Sequence, residues 1–236
     1  MRGANALGRR KADDLDRPPS TDPFAPATWD LVPGHTALVL IDLQNDFLHE
    51  RGWYAESGVD ITHMRRVVGP TQRLVAAARA VEVPVIWTRH GFRDATDAGP
   101  FFQLRPFLRD GGLRRDTWGF QIYDELAPDG EDWLVEKNRL SAFYNTNLEL
   151  ILRGLGAETV LIGGVLTNQC IAATSKDAMF RDFKPIVVEE CTGTTLPHLH
   201  EPALEMVRVG WGEVRGLEAT IAGLLALRGR LEGLTP

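Results

Sequence analysis

Short, mostly apolar runs recur along the chain and constrain its fold more than any other feature. They are TALVLID (36–42), VPVIWT (83–88), DWLVEK (132–137), TVLIGGV (159–165) and PIVVEE (185–190), with a weaker GEVRG at 212–216. Continuous apolar runs of this length are typical of strands that are buried on both faces of a parallel sheet. The sequence therefore predicts six strands in the interior of the protein.

Segments with helical periodicity fill most of the gaps between these runs. They cover residues 61–80, 146–156, 170–183, 201–210 and 217–231. Alternation of strands and helices predicts a mostly parallel, Rossmann-like six-stranded sheet with right-handed crossovers. The expected fold class is therefore α/β, a three-layer α/β/α sandwich. The one long exception is the segment 89–131, a loop-rich insertion of a length that is usually functional.

Length and composition favour one domain. A chain of 236 residues that is 44% hydrophobic can build a single core, which we assign to residues 34–236. Residues 1–33 mix charges with prolines and have no period, which predicts a flexible arm or a surface strap that could also cover a neighbouring subunit.

Charge, cysteine content and apolar runs bear on the expected partners and location of the protein. A net charge of -6 argues against nucleic acid, because proteins that bind the phosphate backbone concentrate Lys and Arg on one face. Only two cysteines, no apolar signal segment and no apolar run of about 18 to 20 residues favour a cytoplasmic protein without a membrane partner.

Three residues with chemically useful side chains stand where predicted strands end. Asp42 ends the first strand, Lys137 ends the strand DWLVEK, and Cys170 follows TVLIGGV at the start of the next helix. Ligand sites in open α/β sheets form beyond the carboxyl ends of the strands, so all three residues should lie at one edge.

These residues could form a nucleophilic site. A thiol is mostly protonated at neutral pH, and Cys170 has three candidates for activation: the helix N-terminus, a positive charge on Lys137, and Asp42 as general base. The competing interpretation is a structural Asp–Lys ion pair beside an inert cysteine. Gly163 and Gly164 could allow backbone amides to form an oxyanion hole, or could merely relieve crowding between strand and helix.

Three separated segments in this order resemble the isochorismatase-like cysteine hydrolase superfamily. They are ALVLIDLQNDF with Asp42, VEKNRLSAFYNTNLELILRGLG with Lys137, and LIGGVLTNQCIAATSKDAMFRDF with Cys170. The resemblance extends from residue 36 to about residue 215.

The resemblance implies an Asp42–Lys137–Cys170 triad and hydrolysis of a small amide or ureido compound, with no cofactor. It also implies an oxyanion hole formed by the backbone N–H groups of Leu166 and Cys170, a cis Val165–Leu166 peptide bond, and a homo-oligomer (dimer or tetramer). Isochorismatases that cleave a vinyl ether lack the cysteine, so Cys170 favours C–N hydrolysis. TWGFQIYDELAP and RLSAFYNTNLELILR look most like the ureidoacrylate amidohydrolase branch, with N-carbamoylsarcosine and biuret hydrolases next.

No metal is expected. Nicotinamidases share the triad but carry a histidine-rich metal motif after the second strand, where this chain has TRHGFRD, so His90 lacks the partner spacing. His198 and His200 have a spacing that occurs in metal sites, but histidines in a loop before a helix are more often solvent-facing.

Substrate-binding candidates lie on the loops at the predicted edge. Arg89 could bind a substrate carboxylate, and aromatic side chains could form a wall for a small planar compound. The candidates are Asn45, Arg89, His90, Trp118, Phe143 and Tyr144, with Gln44 beside them. Packing is the alternative for Trp118 and Phe143, and a small buried hydrophobe is the default for Cys191.

Two further functions stay open from sequence alone. One is a nicotinamidase- or isochorismatase-type hydrolase acting on another small metabolite. The other is a catalytically silent protein that keeps the fold for binding or assembly, because function belongs to the site and not to the fold.

Overall fold

A six-stranded parallel sheet forms the centre of the computed structural model, which describes residues 22, 24–126 and 128–232. The strands are Thr36–Ile41 (β1), Val85–His90 (β2), Trp133–Lys137 (β3), Thr159–Val165 (β4), Lys184–Gly193 (β5) and Glu213–Arg215 (β6). Their order is β3-β2-β1-β4-β5-β6, and each neighbouring pair is parallel. The predicted sheet is confirmed. The expectation that all six strands are interior is wrong for β3, which lies at one edge of the sheet and leaves Trp133 and Leu134 exposed.

Helices cover both faces of this sheet. They are Asn45–Leu48 (α1), Trp53–Glu56 (α2), Thr62–Arg65 (α3), Val68–Arg79 (α4), Ala95–Ala98 (α5), Phe101–Leu104 (α6), Leu148–Gly154 (α7), Ala172–Phe180 (α8), His200–Gly210 (α9) and Leu217–Glu232 (α10). Short 3-10 turns occur at Pro106–Leu108, Asp124–Leu126 and Pro197–Leu199, and a π turn at Thr167–Ile171. Among the helices in these described ranges, none has both the length and the apolar character to cross a bilayer.

Alternation along β1 divides the core into two layers. Leu38 and Leu40 pack with α4 and α10 on one face of the sheet. Val39 and Ile41 pack with α7, α8 and α9 on the other. Successive side chains of a strand point to opposite faces, so a fully apolar strand needs cover on both sides. The three-layer α/β/α prediction is confirmed.

The predicted helix 61–80 is two helices, α3 and α4. A helix running without a break from Thr62 would hold Pro70 in its interior, where proline removes a hydrogen bond and its ring clashes with the preceding turn. The break between Arg65 and Val68 instead makes Pro70 the third residue of α4, in the first turn, where helical N–H groups have no partner.

Asp46 connects the insertion 89–131 to the segment that follows β1. Its carboxylate is buried and accepts the backbone N–H of Leu113 at 2.6 Å and that of Trp53 at 3.1 Å. The insertion is largely irregular, as predicted: beyond the end of β2, its described residues form α5, α6 and short turns. One buried carboxylate thus joins it to α1 and α2.

The predicted N-terminal arm lies mostly outside the described residues. Its described end contacts β4 and β6. Trp29 donates its backbone N–H to Glu213 at 2.7 Å, and Arg215 donates to the Trp29 carbonyl at 2.6 Å. The Asp30 carbonyl accepts the Thr159 hydroxyl at 3.2 Å. Residues 29–30 therefore lie against residues of both β4 and β6.

Gly164 lets β4 approach β1. Its φ is +121°, and a Cβ built there would lie 2.1 Å from the carbonyl oxygen of Ile41. At Gly163, a Cβ would lie 3.0 Å from the Cβ of Cys191. The crowding that these glycines relieve is therefore between neighbouring strands rather than between strand and helix.

Replacing Gly164 by alanine should destabilise the fold by about 3 kcal/mol or more, because the overlapping atom is backbone and alanine disfavours positive φ. Urea unfolding measures this loss. Gly154→Ala is the matched control: a Cβ at Gly154 would have no other atom within 4 Å, and the change should be neutral or stabilising by up to about 1 kcal/mol. Equal unfolding midpoints for the two variants would contradict this account of β4.

Candidate active site

Four neighbouring strands bring four functional side chains to one edge of the sheet. Lys137 ends β3, His90 ends β2, Asp42 follows β1, and Cys170 follows β4. The strand order places these four ends side by side, and the register pairs His90 with Lys137 directly. The predicted convergence of Asp42, Lys137 and Cys170 is what the structure has.

A buried ion pair forms the centre of the site. Lys137 Nζ lies 2.7 Å from Asp42 Oδ2 and 3.4 Å from Cys170 Sγ. It also donates to the carbonyls of Arg139 at 2.9 Å and Leu140 at 3.1 Å. Burial acts to lower the pKa of the Lys137 ammonium, but Asp42 and Cys170 outweigh it, so the pKa is raised. Lys137 is therefore a fixed positive charge.

Thr88 holds the other oxygen of the Asp42 carboxylate. Its hydroxyl donates to Asp42 Oδ1 at 2.6 Å, and its carbonyl accepts the Asp42 backbone N–H at 3.2 Å. Asp42 has a φ of 54°, which turns the chain sharply at the end of β1. Sequence reasoning missed Thr88. Its position two residues before His90, on the same face of β2, was the available signal.

Burial raises the pKa of Cys170 to about 12, with Lys137 opposing the shift and Asp42 adding to it. The thiol is only 3% exposed. Of the three candidates for activation, the positive charge of Lys137 does not offset burial, so the resting thiol is neutral. Removal of its proton then requires a base, and the Asp42 carboxylate is beside it.

Cys170 lies on a π turn, Thr167–Ile171, that leads into α8. The predicted cis peptide bond between Val165 and Leu166 is confirmed. The Leu166 carbonyl accepts the N–H groups of Gln169 at 3.0 Å and Ile171 at 3.1 Å. Among the described residues, none accepts a hydrogen bond from the Leu166 N–H, so this donor is available to a ligand.

His90 is buried beside the triad. Its ring packs against Phe92 and Phe101 at centroid distances of 5.0 and 5.5 Å, and its Nε2 lacks a hydrogen-bond partner in the described part of the chain. Gln44 fixes its backbone by accepting the His90 N–H at 2.6 Å and donating to the His90 carbonyl at 3.0 Å. Burial, with Lys137 adding, holds the pKa of His90 well below its usual value.

The donor atoms of Asp42, His90 and Cys170 lie within 4.8 Å of one another, a separation at which a metal ion could bind. Lys137 Nζ already places a positive charge 2.7 Å from Asp42 Oδ2 and 3.4 Å from Cys170 Sγ. A second cation there would be repelled by the ammonium, so the donor set is better suited to Lys137 than to a metal.

The two histidines of the HLH segment differ from each other. His198 is exposed, whereas His200 begins α9 and is buried. The prediction that both face solvent is wrong for His200. Its ring nitrogens are satisfied by Thr167 Oγ1 at 2.9 Å and by Arg66 at 2.8 Å, which removes the penalty for burying them.

The sequence suggested that Arg89 could bind a substrate carboxylate. In the structure, its guanidinium is already engaged by other side chains. Its guanidinium donates to Glu136 and Gln121, both at 2.7 Å, and lies 4.7 Å from the centre of the Phe120 ring. Side chains alternate along β2, so Arg89 points away from the face that carries Thr88 and His90.

The remaining predicted binding residues have contacts of their own. Phe143 is buried and stacks on Phe183 at 5.9 Å, so its contacts are those of a core residue. Trp118 packs edge-on against His49 at 4.9 Å, and its carbonyl accepts from Asn45 Nδ2 at 3.0 Å. Tyr144 is largely exposed. Asn45 itself is buried, and its Oδ1 lacks a partner within the described residues.

Aromatic residues from α2 and the insertion cover the site. Tyr54 is buried against Phe47 and Phe107, with ring distances of 4.6 and 5.2 Å. Burial raises the pKa of Tyr54; the charges of Cys170 and Asp42 add to the shift, and the Arg105 guanidinium opposes it. Sequence reasoning missed this cover because the insertion has no periodicity.

Arg105 is a cation in this cover without a carboxylate partner among the described residues. It follows α6, its backbone N–H donates to the Phe101 carbonyl at 2.9 Å, and its side chain donates to the Leu104 carbonyl at 2.9 Å. Phe101 packs on His90, and Phe107, two residues beyond Arg105, packs on Tyr54. Along the chain, Arg105 thus lies between two residues, Phe101 and Phe107, that pack against the site.

Two described cavities lie away from this site. One of about 280 Å³ is lined by α4 residues with Trp87 and Asp124–Leu126, and one of about 320 Å³ lies between residues 28–31, β6 and α10. The triad side chains are at most 3% exposed. These three side chains are therefore almost entirely removed from solvent.

A three-layer α/β/α fold with Asp, Lys and Cys at the carboxyl edge of a parallel sheet defines a class of small-molecule hydrolases. Residues 36–219 match the Isochorismatase domain. The chain therefore belongs to the isochorismatase family of hydrolases.

Curated relatives and solved structures refine this assignment. The chain is 31% identical over 198 residues to the ureidoacrylate amidohydrolase RutB of Enterobacter sp. (strain 638), covering 78% of this chain and 86% of that protein. It is 32% identical over 186 residues to RutB of Agrobacterium fabrum, covering 73% and 82%.

Among solved structures, a cysteine hydrolase from Pseudomonas syringae pv. phaseolicola is similar with a TM-score of 0.79 and 27% identity, covering 88% of this chain and 100% of that one. N-carbamoylsarcosine amidase from Thermoplasma acidophilum is similar with a TM-score of 0.65 and 26% identity, covering 78% and 97%. The recognised resemblance is confirmed at the level of the family.

Replacing Lys137 by methionine should destabilise the protein by about 3–5 kcal/mol, because it leaves the buried Asp42 carboxylate without a counter-charge. Unfolding in urea at pH 7 measures the loss. The double variant Asp42→Asn/Lys137→Met removes both charges and should recover most of the stability. A double variant no more stable than Lys137→Met would show that the pair is not what stabilises this edge.

Proposed function

We propose that the protein is a cysteine-dependent amidohydrolase that cleaves the C–N bond of a small ureido or amide compound through a thioester. The observation that carries the proposal is the contact of one buried ammonium, Lys137 Nζ, with both Asp42 Oδ2 at 2.7 Å and Cys170 Sγ at 3.4 Å. A nucleophile, a base and a fixed charge within bonding reach are what acyl transfer requires.

The first half-reaction begins with proton transfer from the Cys170 thiol to Asp42. The sulfur attacks the substrate carbonyl, and the oxyanion that develops accepts hydrogen bonds from the N–H groups of Leu166 and Cys170. Lys137 stabilises the thiolate as it forms. Protonated Asp42 then gives its proton to the leaving nitrogen as the C–N bond breaks, so that ammonia or an amine departs and a thioester is left.

The second half-reaction returns the enzyme to its resting state. Asp42, ionised again, takes a proton from a water molecule that attacks the thioester carbonyl. The C–S bond breaks, the acid product departs, and the proton passes from Asp42 to the Cys170 thiolate. One carboxylate thus serves both steps, and Lys137 keeps its charge throughout.

Two unpaired polar atoms support the proposed substrate class. His90, which is neutral, offers an unpaired Nε2, and Asn45 offers an unpaired Oδ1. Such groups suit the N–H and carbonyl of a ureido group. Arg105, rather than Arg89, is the cation available for a carboxylate. We therefore favour a small ureido acid, which agrees with the ureidoacrylate amidohydrolases among the relatives.

A screen of ureido acids, neutral ureido compounds and simple amides tests the activity, with ammonia release as the readout. Cys170→Ala should abolish turnover without changing the unfolding midpoint, because it removes the nucleophile and leaves the Asp42–Lys137 pair intact. Normal turnover by Cys170→Ala would refute the nucleophile. Turnover confined to nicotinamide would favour the nicotinamidase-type alternative, and an unreactive thiol with no turnover would favour a catalytically silent binding protein.

Arg105→Gln should raise KM for a ureido acid roughly 10- to 100-fold, the loss expected for one charge-assisted hydrogen bond. KM for the matching neutral ureido amide should not change, and this pair of substrates isolates carboxylate recognition. Arg89→Gln is the matched control and should leave both values near wild type. The reverse pattern, an effect of Arg89→Gln alone, would restore the assignment made from sequence.

Cytoplasmic location and assembly into a dimer or tetramer stay predictions. Size-exclusion chromatography with light scattering reports the oligomeric state directly.

A further inference from the structure

The turn that carries Cys170 is held from outside the triad. Thr167, its first residue, follows directly after Leu166, so one short segment carries both proposed oxyanion amides and the sulfur. A displacement of Thr167 would move all three groups together. What fixes Thr167 therefore bears on the geometry of the whole nucleophile turn.

Three side chains from separate elements meet at this point. His200 Nδ1 lies 2.9 Å from Thr167 Oγ1, and Arg66 lies 2.8 Å from His200 Nε2. A guanidinium can only donate, so Nε2 accepts and Nδ1 carries the hydrogen that is donated to Thr167. We call Arg66, Thr167 and His200 the His200 clasp.

Residues next to the His200 clasp also hold the π turn and keep His200 neutral. The His63 ring packs against the His200 ring at 5.0 Å, and His63 Nδ1 accepts the N–H of Thr194 at 3.1 Å. The Thr194 hydroxyl in turn donates to Asn168 Oδ1 at 2.7 Å, which holds the second residue of the π turn. Burial lowers the pKa of His200 to about 4, and Arg66 and His63 add to the shift, so the ring is neutral near pH 7.

We propose that His200 is a positioning residue, which orients the nucleophile turn through its hydrogen bond to Thr167. The inference rests on the proposed role of Cys170 as nucleophile and adds a residue from α9 that does not touch the triad. Misplacement of reacting groups by about 1 Å costs roughly 100-fold in rate, so a contact of this kind can control turnover without touching substrate.

Three substitutions of His200 separate the two hydrogen bonds. In His200→Asn the side-chain amide can donate near the former Nδ1 and keep the bond to Thr167. In His200→Gln the longer side chain can accept from Arg66 but loses Thr167. His200→Phe loses both. We expect kcat to fall roughly 10- to 100-fold in the Gln and Phe variants, with KM little changed, and to stay within about threefold of wild type in the Asn variant.

Thr167→Val removes the same hydrogen bond from its other end. It therefore tests the contact even if a His200 variant does not fold. It should reproduce the loss of kcat, and combining it with His200→Phe should add little, because both changes remove one interaction. His198→Phe, at an exposed position two residues away, is the control and should behave as wild type. Additive losses in the double variant would overturn the proposal.

Two readouts do not need a substrate and so separate this proposal from the proposed function. Alkylation of Cys170 by iodoacetamide, followed by mass spectrometry with Cys191 as internal reference, should become faster in His200→Phe and Thr167→Val, because a loosened turn exposes the thiol that burial holds protonated. Amide hydrogen exchange over residues 166–171 should become faster in both. If wild-type protein shows no turnover on any compound, these readouts still decide the positioning role. Unchanged exchange and alkylation in both variants would refute it.

Discussion

The ion pair between Asp42 and Lys137 is the interaction on which the site depends, because neither charge could be buried without the other. The pair lies at 2.7 Å, with both side chains fully removed from solvent. Two carbonyls and the Cys170 sulfur complete the contacts of the ammonium, and Thr88 holds the second carboxylate oxygen. Burial of charge is tolerated only where such partners exist, so the pair fixes the relative positions of β1, β2 and β3.

Burial of the pair also decides the chemistry of the sulfur. In water, a lysine this close would lower the pKa of a thiol, but at Cys170 the loss of solvation is larger than the attraction. The thiol is therefore neutral at rest. Asp42 becomes useful as a base only when a substrate carbonyl is present to accept the electron pair of sulfur. Under the proposed mechanism, the aromatic cover that buries the thiol is what makes a carboxylate base necessary.

Sequence alone was sufficient for the strands and for the convergence of Asp42, Lys137 and Cys170, because apolar runs identify parallel strands and the carboxyl ends of such strands share one edge. It failed where orientation mattered. Arg89 and His90 are adjacent in sequence, yet strand alternation sends the first to Glu136 and brings the second beside Lys137. The insertion carries no period, so nothing in the sequence placed Arg105 near Tyr54. His200 looked like a surface residue because its partners come from distant segments.

The two halves of the site are fixed by different parts of the fold. Strand ends hold the carboxylate and the ammonium, whereas the sulfur sits on a turn whose outer contacts come from α9 and Arg66. The contact of 3.4 Å between Lys137 Nζ and Cys170 Sγ spans these halves. A rigid sheet tolerates little adjustment, so the turn is the part whose position can vary. Under the proposed mechanism, the helices behind the sheet edge, and not only its strands, therefore set the distance between the Cys170 thiol and its base, Asp42.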